Sequence, residues 1–312
     1  MKNQLTIISL VTLFLPGLAS AQAARTAVLA AETSFASEVS KNGMKTAFLT
    51  NAAPSARVVE NGKLVEAQEL WNGRPARSAS TIAWYPLLTA VSQTGDFAYT
   101  TGPWTMLQNE RPQGTGEYVT VWRKQPDGQW KYAVNMNIER IGTAPAMPAD
   151  VPRPHLAAAT ATPSAAPTNI LLDLDRKFAA AELLKPGATY QQYLSTEARL
   201  YRPGLSTMQG LAAAANMKNL DGGYLFTPTT GYLAAAGDLG YVVGTLRRAA
   251  AGTKHPEENG TYLRIWRREA EAGWRLVVEM FNYVPTAAST AAVPAAAAEA
   301  QPGAIAPGRS GQ

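Results

Sequence analysis

The 312-residue chain contains no cysteine and only two histidines. Without cysteine there is no disulfide, no thiolate nucleophile, no sulfur-ligated metal and no thiol to carry a lipid anchor. The histidines, His155 in PRPHLA and His255 in KHPEEN, stand in linker and turn sequence, so neither is set on an element that would line a pocket. A histidine general base and a histidine-rich metal centre are thereby removed, and carboxylates remain as the available acid–base groups. A nucleophile elbow and a phosphate-binding glycine loop are also missing. The residues point to no metal and no cofactor.

A strong charge of one sign is missing too. The formal net charge is +5, yet residues 25–142 hold 12 basic and 10 acidic side chains and residues 168–285 hold 13 and 11. That mild excess serves solubility and predicts no nucleic-acid partner. The paired arginines at Arg247 and Arg267 read as strand-edge charges that discourage edge-to-edge association. The apolar run Leu5 to Ala19, interrupted by Pro16, falls short of the roughly 20 residues that a membrane-spanning helix needs. Lys2 before it and ASAQA after it complete the three-part layout of a secretory signal. Residues 1–23 are therefore predicted to be a signal peptide cleaved after Ala21 or Ala23. The protein is expected to be periplasmic or secreted, with no membrane span after cleavage.

What the chain has is a repeated framework. Residues 143–168 are nearly all Ala, Pro and Thr, the composition of a semi-extended linker. Residues 286–312 form a second low-complexity segment, with too few large apolar groups to offset the entropy of ordering it. The segments flanking the linker, 24–142 and 169–285, repeat one another in order. GEYVTVWRKQPDGQWKYAVNM at Gly116 matches GTYLRIWRREAEAGWRLVVEM at Gly260, a shift of 144. TGDFAYTTG matches AGDLGYVVG, and SARVVENG matches EARLYRPG, each at a shift of 142. ETSFASEV and DRKFAAAE pair Glu32 with Asp175 and Phe35 with Phe178.

Each copy opens with helical periodicity, at Leu29, Thr33, Phe35 and Val39 and at Leu171, Leu174, Phe178 and Ala181. Breaks at Gly43 and at Pro186-Gly187 precede a second short helix. The segments 82–91, 97–107, 118–124 and 130–138 are β-branched and aromatic and are separated by the turn sequences SQTGD, ERPQGTG and QPDG. Helices followed by a four-strand antiparallel meander make an α+β fold with helices on one sheet face. In the last strand, period two sets Trp274, Leu276, Val278 and Met280 on a core side, and Arg275, Val277, Glu279 and Phe281 on a mixed side.

The opening helix with an acid three residues before Phe, then xARxxxxG, GDxxYxxG and a closing YxxxWRxxxxGxW hairpin, together resemble the nuclear transport factor 2-like superfamily, especially its SnoaL-like members and those of unknown function. The resemblance covers both copies, the closing hairpin most specifically. It implies two tandem cone-shaped domains, each a curved, mainly antiparallel sheet wrapped with helices around a pocket. It also implies a sheet outer face suited to dimerisation, which two linked copies can satisfy as an intrachain pseudo-dimer. Members include isomerases, cyclases, dehydratases and non-enzymes, so the fold names no function. Its enzymes place an Asp or His base and a Tyr or second acid inside the cone.

Among the carboxylates, Asp96 and Asp238 follow glycine in equivalent turns, where an Asp accepts backbone hydrogen bonds. Glu32 and Asp175 stand early in the opening helix, where the dipole favours them. Glu279 is the catalytic candidate. A carboxylate facing an apolar cavity has a raised pKa suited to proton transfer, and Tyr201 or Tyr241 would be its hydrogen-bond donor. Its counterpart Asn135 cannot titrate. Ligand-binding candidates are Trp84, Tyr99 and Asn135, with Arg57 and Arg199 for an anionic ligand; Trp84, Tyr85, Tyr99, Trp122 and Trp130 would line an apolar cavity or simply form core. Two functions follow. One is an exported, non-catalytic module for a small apolar or anionic ligand or for a protein surface. The other is a carboxylate-dependent isomerase, cyclase or dehydratase active in the second domain only.

Overall fold

A computed structural model describes residues 16–140, 155–156, 169–217, 223–248 and 257–284. Residues 1–15 of the predicted signal 1–23, most of the predicted linker, His255 and the predicted 286–312 tail lie outside the described residues. In the first domain the elements are α1 (Pro16–Asn42), α2 (Met44–Asn51), β1 (Ala52–Glu60), β2 (Lys63–Glu66), α3 (Ala67–Gly73), β3 (Ser80–Trp84), β4 (Leu88–Val91), β5 (Phe97–Gln108), β6 (Arg111–Lys124) and β7 (Trp130–Glu139). The linker contributes β8 (His155–Leu156). The second domain has α4 (Asn169–Leu184), α5 (Pro186–Tyr193), β9 (Leu194–Tyr201), β10 (Met208–Gln209), α6 (Ala212–Met217), β11 (Leu225–Leu233), β12 (Leu239–Arg248), β13 (Glu258–Glu269) and β14 (Gly273–Tyr283). No described helix is long and apolar enough to cross a membrane.

The α+β reading holds, with helices packed on one face of each sheet, and several details differ from expectation. The buried stripe of α1 is Ala24, Val28, Glu32, Phe35 and Val39, and that of α4 is Leu171, Asp175, Phe178 and Glu182. Both follow the i, i+3, i+4 spacing of a core-facing helix, so an acid sits inside the apolar stripe rather than at a helix end. Glu32 is in mid-helix, because α1 starts at Pro16. The segment 82–91 divides at Pro86, which cannot donate a ladder hydrogen bond, and β3 and β4 pair with successive parts of β5. The expected ERPQGTG loop shrinks to Asn109-Glu110, with φ of 48° and 64°, the positive-φ pair of a tight two-residue hairpin.

The sheets run β2-β1-β7-β6-β5-β4-β8, with β3 also on β5, and β10-β9-β14-β13-β12-β11. The four-strand meander is extended in each copy by a parallel strand, β1 beside β7 and β9 beside β14. Registers repeat at the sequence offsets: Val58 faces Asn135 as Leu200 faces Glu279, and a one-residue bulge at Ala133 in β7 is matched by one at Val277 in β14. That bulge corrects the simple alternation expected of the last strand. It turns Leu276 and Phe281 toward the helices, and Val277, Val278 and Met280 to the opposite face.

That opposite face is not solvated. One hydrophobic cluster joins Phe97, Tyr99, Val119, Val121, Val134 and Met136 to Tyr241, Val243, Leu263, Ile265, Val278 and Met280, so the layers are helix, sheet, sheet, helix. Phe97 stacks on Tyr241 with centroids 6.1 Å apart, and Thr101 Oγ1 lies 2.6 Å from the Tyr201 hydroxyl. At the rim the two glycine turns exchange hydrogen bonds symmetrically. Ala235 N donates to Asp96 Oδ2 at 3.0 Å, and Gln93 N donates to Asp238 Oδ2 at 2.9 Å. Each donor and acceptor is shifted by 142 from its twin. Gly95 and Gly237, with φ of 65° and 66°, supply the left-handed residue that aims each Asp. The two aspartates therefore cap the partner domain's turn as well as their own. Replacing Asp96 with alanine is expected to cost about 2–3 kcal/mol in urea denaturation, since charged hydrogen bonds to Ala235 N and the Tyr232 hydroxyl are lost. A loss below about 0.5 kcal/mol, the range of ordinary surface substitutions, would show that the exchange adds nothing.

Candidate functional site

The cone interiors hold the acids. In the second domain Arg264 on β13 lies directly across from Glu279 on β14, and both are fully buried. Arg264 Nε donates to Glu279 Oε2 at 2.6 Å and Nη1 to Asp175 Oδ2 at 3.2 Å. Arg202 donates to Glu279 Oε1, which also accepts from the Tyr190 hydroxyl at 2.7 Å. Asp175 accepts from the Tyr262 hydroxyl and from Trp266 Nε1. The guanidinium of Arg264 sits among Phe178, Phe226 and Tyr262, 4.1–4.4 Å from their ring centroids. Burial works to raise the Glu279 carboxyl, but the charges of Arg202 and Arg264 hold it below the usual range. Both Glu279 oxygens are thus engaged in ion pairs, while the buried Nη2 of Arg264 has no hydrogen-bond partner among the described residues.

In the first domain the equivalents are Thr120 and Asn135, again directly cross-strand, with Asn135 Nδ2 donating to Thr120 Oγ1 at 2.9 Å. The Arg–Glu pair of one copy is replaced as a unit by a neutral pair in the other. Glu32 remains alone there, accepting from Trp84 Nε1, Thr100 Oγ1 and Trp122 Nε1. Burial raises its pKa against those donors. Phe35, Phe48, Trp84, Trp122 and Tyr132 fill the space around it, with ring centroids 4.8–6.3 Å apart in the contacting pairs. Aromatic pairs of this kind add about 0.5–1.5 kcal/mol beyond their burial.

Open space lies between the domains instead. A cleft of about 840 Å³ is lined by Arg57, Lys63 and Arg123 from the first domain and by Thr230, Tyr232, Tyr241 and Arg247 from the second. Arg57 pairs with Glu66 at 2.9 Å, both well exposed, and Arg247 with Glu257 at 3.5 Å. Arg123 lies over the Tyr232 ring, 3.9 Å from its centroid, and its buried Nε has no hydrogen-bond partner among the described residues. Burial raises the Tyr241 phenol, while Arg123 and Arg57 pull it down. A smaller hollow of about 530 Å³ shares Ser55 and Arg123 with the cleft. Among the described residues no group of three or more His, Cys, Asp or Glu is placed to hold a metal ion.

No family model matches the chain, and no curated protein matches it. Solved structures with similarity include an NTF2-like protein of unknown function from Pseudomonas putida KT2440, at 13% identity and a TM-score of 0.31, covering 37% of this chain and 84% of its own. An NTF2-like protein from Cytophaga hutchinsonii has 14% identity and a TM-score of 0.31, covering 37% and 96%. A candidate ketosteroid isomerase from Shewanella frigidimarina has 19% identity and a TM-score of 0.28, covering 35% and 91%. Each is the size of one of the two domains. Two of the three carry the name of the superfamily that the sequence motifs resemble.

The predicted site residues do not converge. Glu279 points into the second cone, whereas Tyr201 and Tyr241 lie in the cluster on the opposite sheet face, because each is one residue out of phase with the cone-facing positions of its strand. The tyrosine at Glu279 is Tyr190. Trp84 is core in the first cone, and Tyr99 is buried between the sheets. Arg57 reaches the cleft; Arg199 lies on the other side of the domain contact, where its charge acts on Tyr99, Glu117 and Tyr201. Residues the sequence reading missed are Arg202, Arg264, Tyr190, Glu182, Lys63 and Arg123. The repeat alignment carried one usable signal, that Glu279 and Arg264 lack counterparts together on paired strands.

Glu279→Gln should cost about 3–5 kcal/mol in chemical denaturation, because two buried guanidiniums lose their shared anion; a variant as stable as the wild type would show the network to be dispensable. Glu182 titrates differently. Its Oε2 has no hydrogen-bond partner among the described residues, and burial pushes its carboxyl up to about 7, Arg264 opposing and Glu279 assisting. The folded chain therefore keeps a proton that the unfolded chain releases near 4.5. The resulting stabilisation is complete below that pH and lost as pH rises through about 7. Unfolding free energy measured from pH 4.5 to 8 should fall in the wild type and lose that slope in Glu182→Gln.

Proposed function

We propose that this chain is an exported, non-catalytic module in which two nuclear transport factor 2-like domains pair as an intrachain pseudo-dimer and hold a small ligand in the cleft between them. The observation that carries this reading is the distribution of space. The cone interiors are occupied by aromatic rings and ion pairs, while the cleft between the domains is open and lined by cationic and polar side chains beside apolar ones, the mixture typical of ligand sites. Glu279, the base that the proton-transfer alternative names, is not free to accept a proton, since both its oxygens are occupied by guanidinium and phenol donors.

Export rests on the arrangement of Lys2, the apolar run and the small residues before Arg25. Cleavage after Ala21 or Ala23 would leave Val28, Glu32, Phe35 and Val39 of the α1 stripe in place. The pseudo-dimer is supported by the shared apolar cluster and the reciprocal aspartate contacts. It replaces an encounter of subunits with an intramolecular one, which lowers the entropic cost of pairing.

Mass spectrometry of the mature protein, sprayed natively and then denatured, tests the ligand reading. A retained small molecule is expected. Thr230→Trp, a substitution at an exposed position of the cleft wall, should abolish retention while keeping the unfolding midpoint of the ligand-free wild type. A protein that carries nothing, or that carries the same species in both forms, would remove the cleft from consideration.

A further inference from the structure

We infer that the cleft binds a small organic anion, an oxyanion head on an apolar body, with the Arg123 guanidinium as anchor; this rests on the cleft being the ligand site. The internal repeat supplies the comparison. Under the offsets of 142 and 144, the cluster Arg57, Arg123 and Tyr241 has a twin in Arg199, Arg267 and Tyr99 on the other side of the domain contact.

The twin is closed by carboxylates. Arg267 donates to Glu197 at 3.0 Å, to Glu269 at 2.8 Å and to the Ser195 hydroxyl at 3.1 Å, and a third acid, Glu117, feels the charge of Arg199. On the open side those acids are gone. Glu197 becomes Ser55, Glu269 becomes Gln125 and Glu117 becomes Thr261, while both arginines and the tyrosine stay. Arg123 therefore keeps the backbone register of Arg267, each opposite the first residue of the preceding strand, and has no ion-pair partner among the described residues.

A half-buried guanidinium without an anion is costly, and one that lacks the carboxylates of its twin leaves a positive potential in the cleft. The guanidinium fork suits a bidentate oxyanion. Lys63 adds a second cation, and the Tyr241 hydroxyl, which makes no hydrogen bond to a described residue, adds a neutral donor. Leu64 and the Tyr232 ring on the same walls fit an apolar body. Exposed pairs such as Arg57 with Glu66 are weak, so Arg57 can turn to the ligand at little cost.

Fluorescence titration with two dyes that differ by one sulfonate tests this, namely 8-anilinonaphthalene-1-sulfonate and uncharged N-phenyl-1-naphthylamine. The sulfonate dye should bind about 10-fold or more tightly than the neutral one, the scale of a desolvated charge pair. Arg123→Gln should erase that difference and leave the neutral dye within about twofold. The double variant Ser55→Glu with Gln125→Glu, which installs the acids of the closed copy, should do the same with no loss of thermal stability. Equal binding of both dyes in all these proteins, abolished by Thr230→Trp, overturns the anion assignment and leaves the cleft as a neutral-ligand site. Binding of neither dye, or binding untouched by Thr230→Trp, overturns both readings.

Discussion

Apolar contact between the two sheets governs the rest of the molecule. Val121, Val134 and Met136 from one domain meet Val243, Ile265, Val278 and Met280 from the other, so the outer sheet faces are buried rather than hydrated. At about 25 cal/mol per Å² of apolar surface, a contact of this kind is among the larger stabilising terms in the chain. It also sets where ligands can reach. The reciprocal aspartates fix the relative placement of the domains at one rim, and where the sheets diverge from each other an open cleft remains.

The cones show two answers to one constraint. A carboxylate in the apolar stripe of the first helix faces the aromatic interior of each domain and must be neutralised or paired. Asp175 is paired, through Arg264, into a network that also contains Glu279 and Arg202. Glu32 is surrounded by neutral donors, and burial raises its pKa. Thr120 with Asn135 in one copy and Arg264 with Glu279 in the other are each compatible sets, one joined by a neutral hydrogen bond and the other by an ion pair. The asymmetry of the repeats is therefore correlated by contact, which is how related domains diverge without losing their core.

Much of the architecture was legible in the sequence, because repeats at constant offset reveal two equivalent domains and because helical and alternating periodicities report which surfaces are buried. The helix-then-strand order and the paired glycine turns could be read that way. The single-residue bulge at Val277, which decides the side Glu279 occupies, could not, since a bulge changes the phase of every following side chain without an obligatory residue type.

The sequence by itself determined the two-domain framework and the absence of thiol chemistry, since these depend on local periodicity and on which residues exist at all. Only the tertiary structure decided that Glu279 belongs to an ion-pair network, that Tyr201 and Tyr241 face the partner domain, and that Arg123 stands in an open cleft while Arg267 is enclosed. Those outcomes depend on pairings between residues far apart along the chain, Arg202 with Glu279 or Arg123 with Tyr232. The free energy of a charge is set by such neighbours rather than by its own position in the sequence.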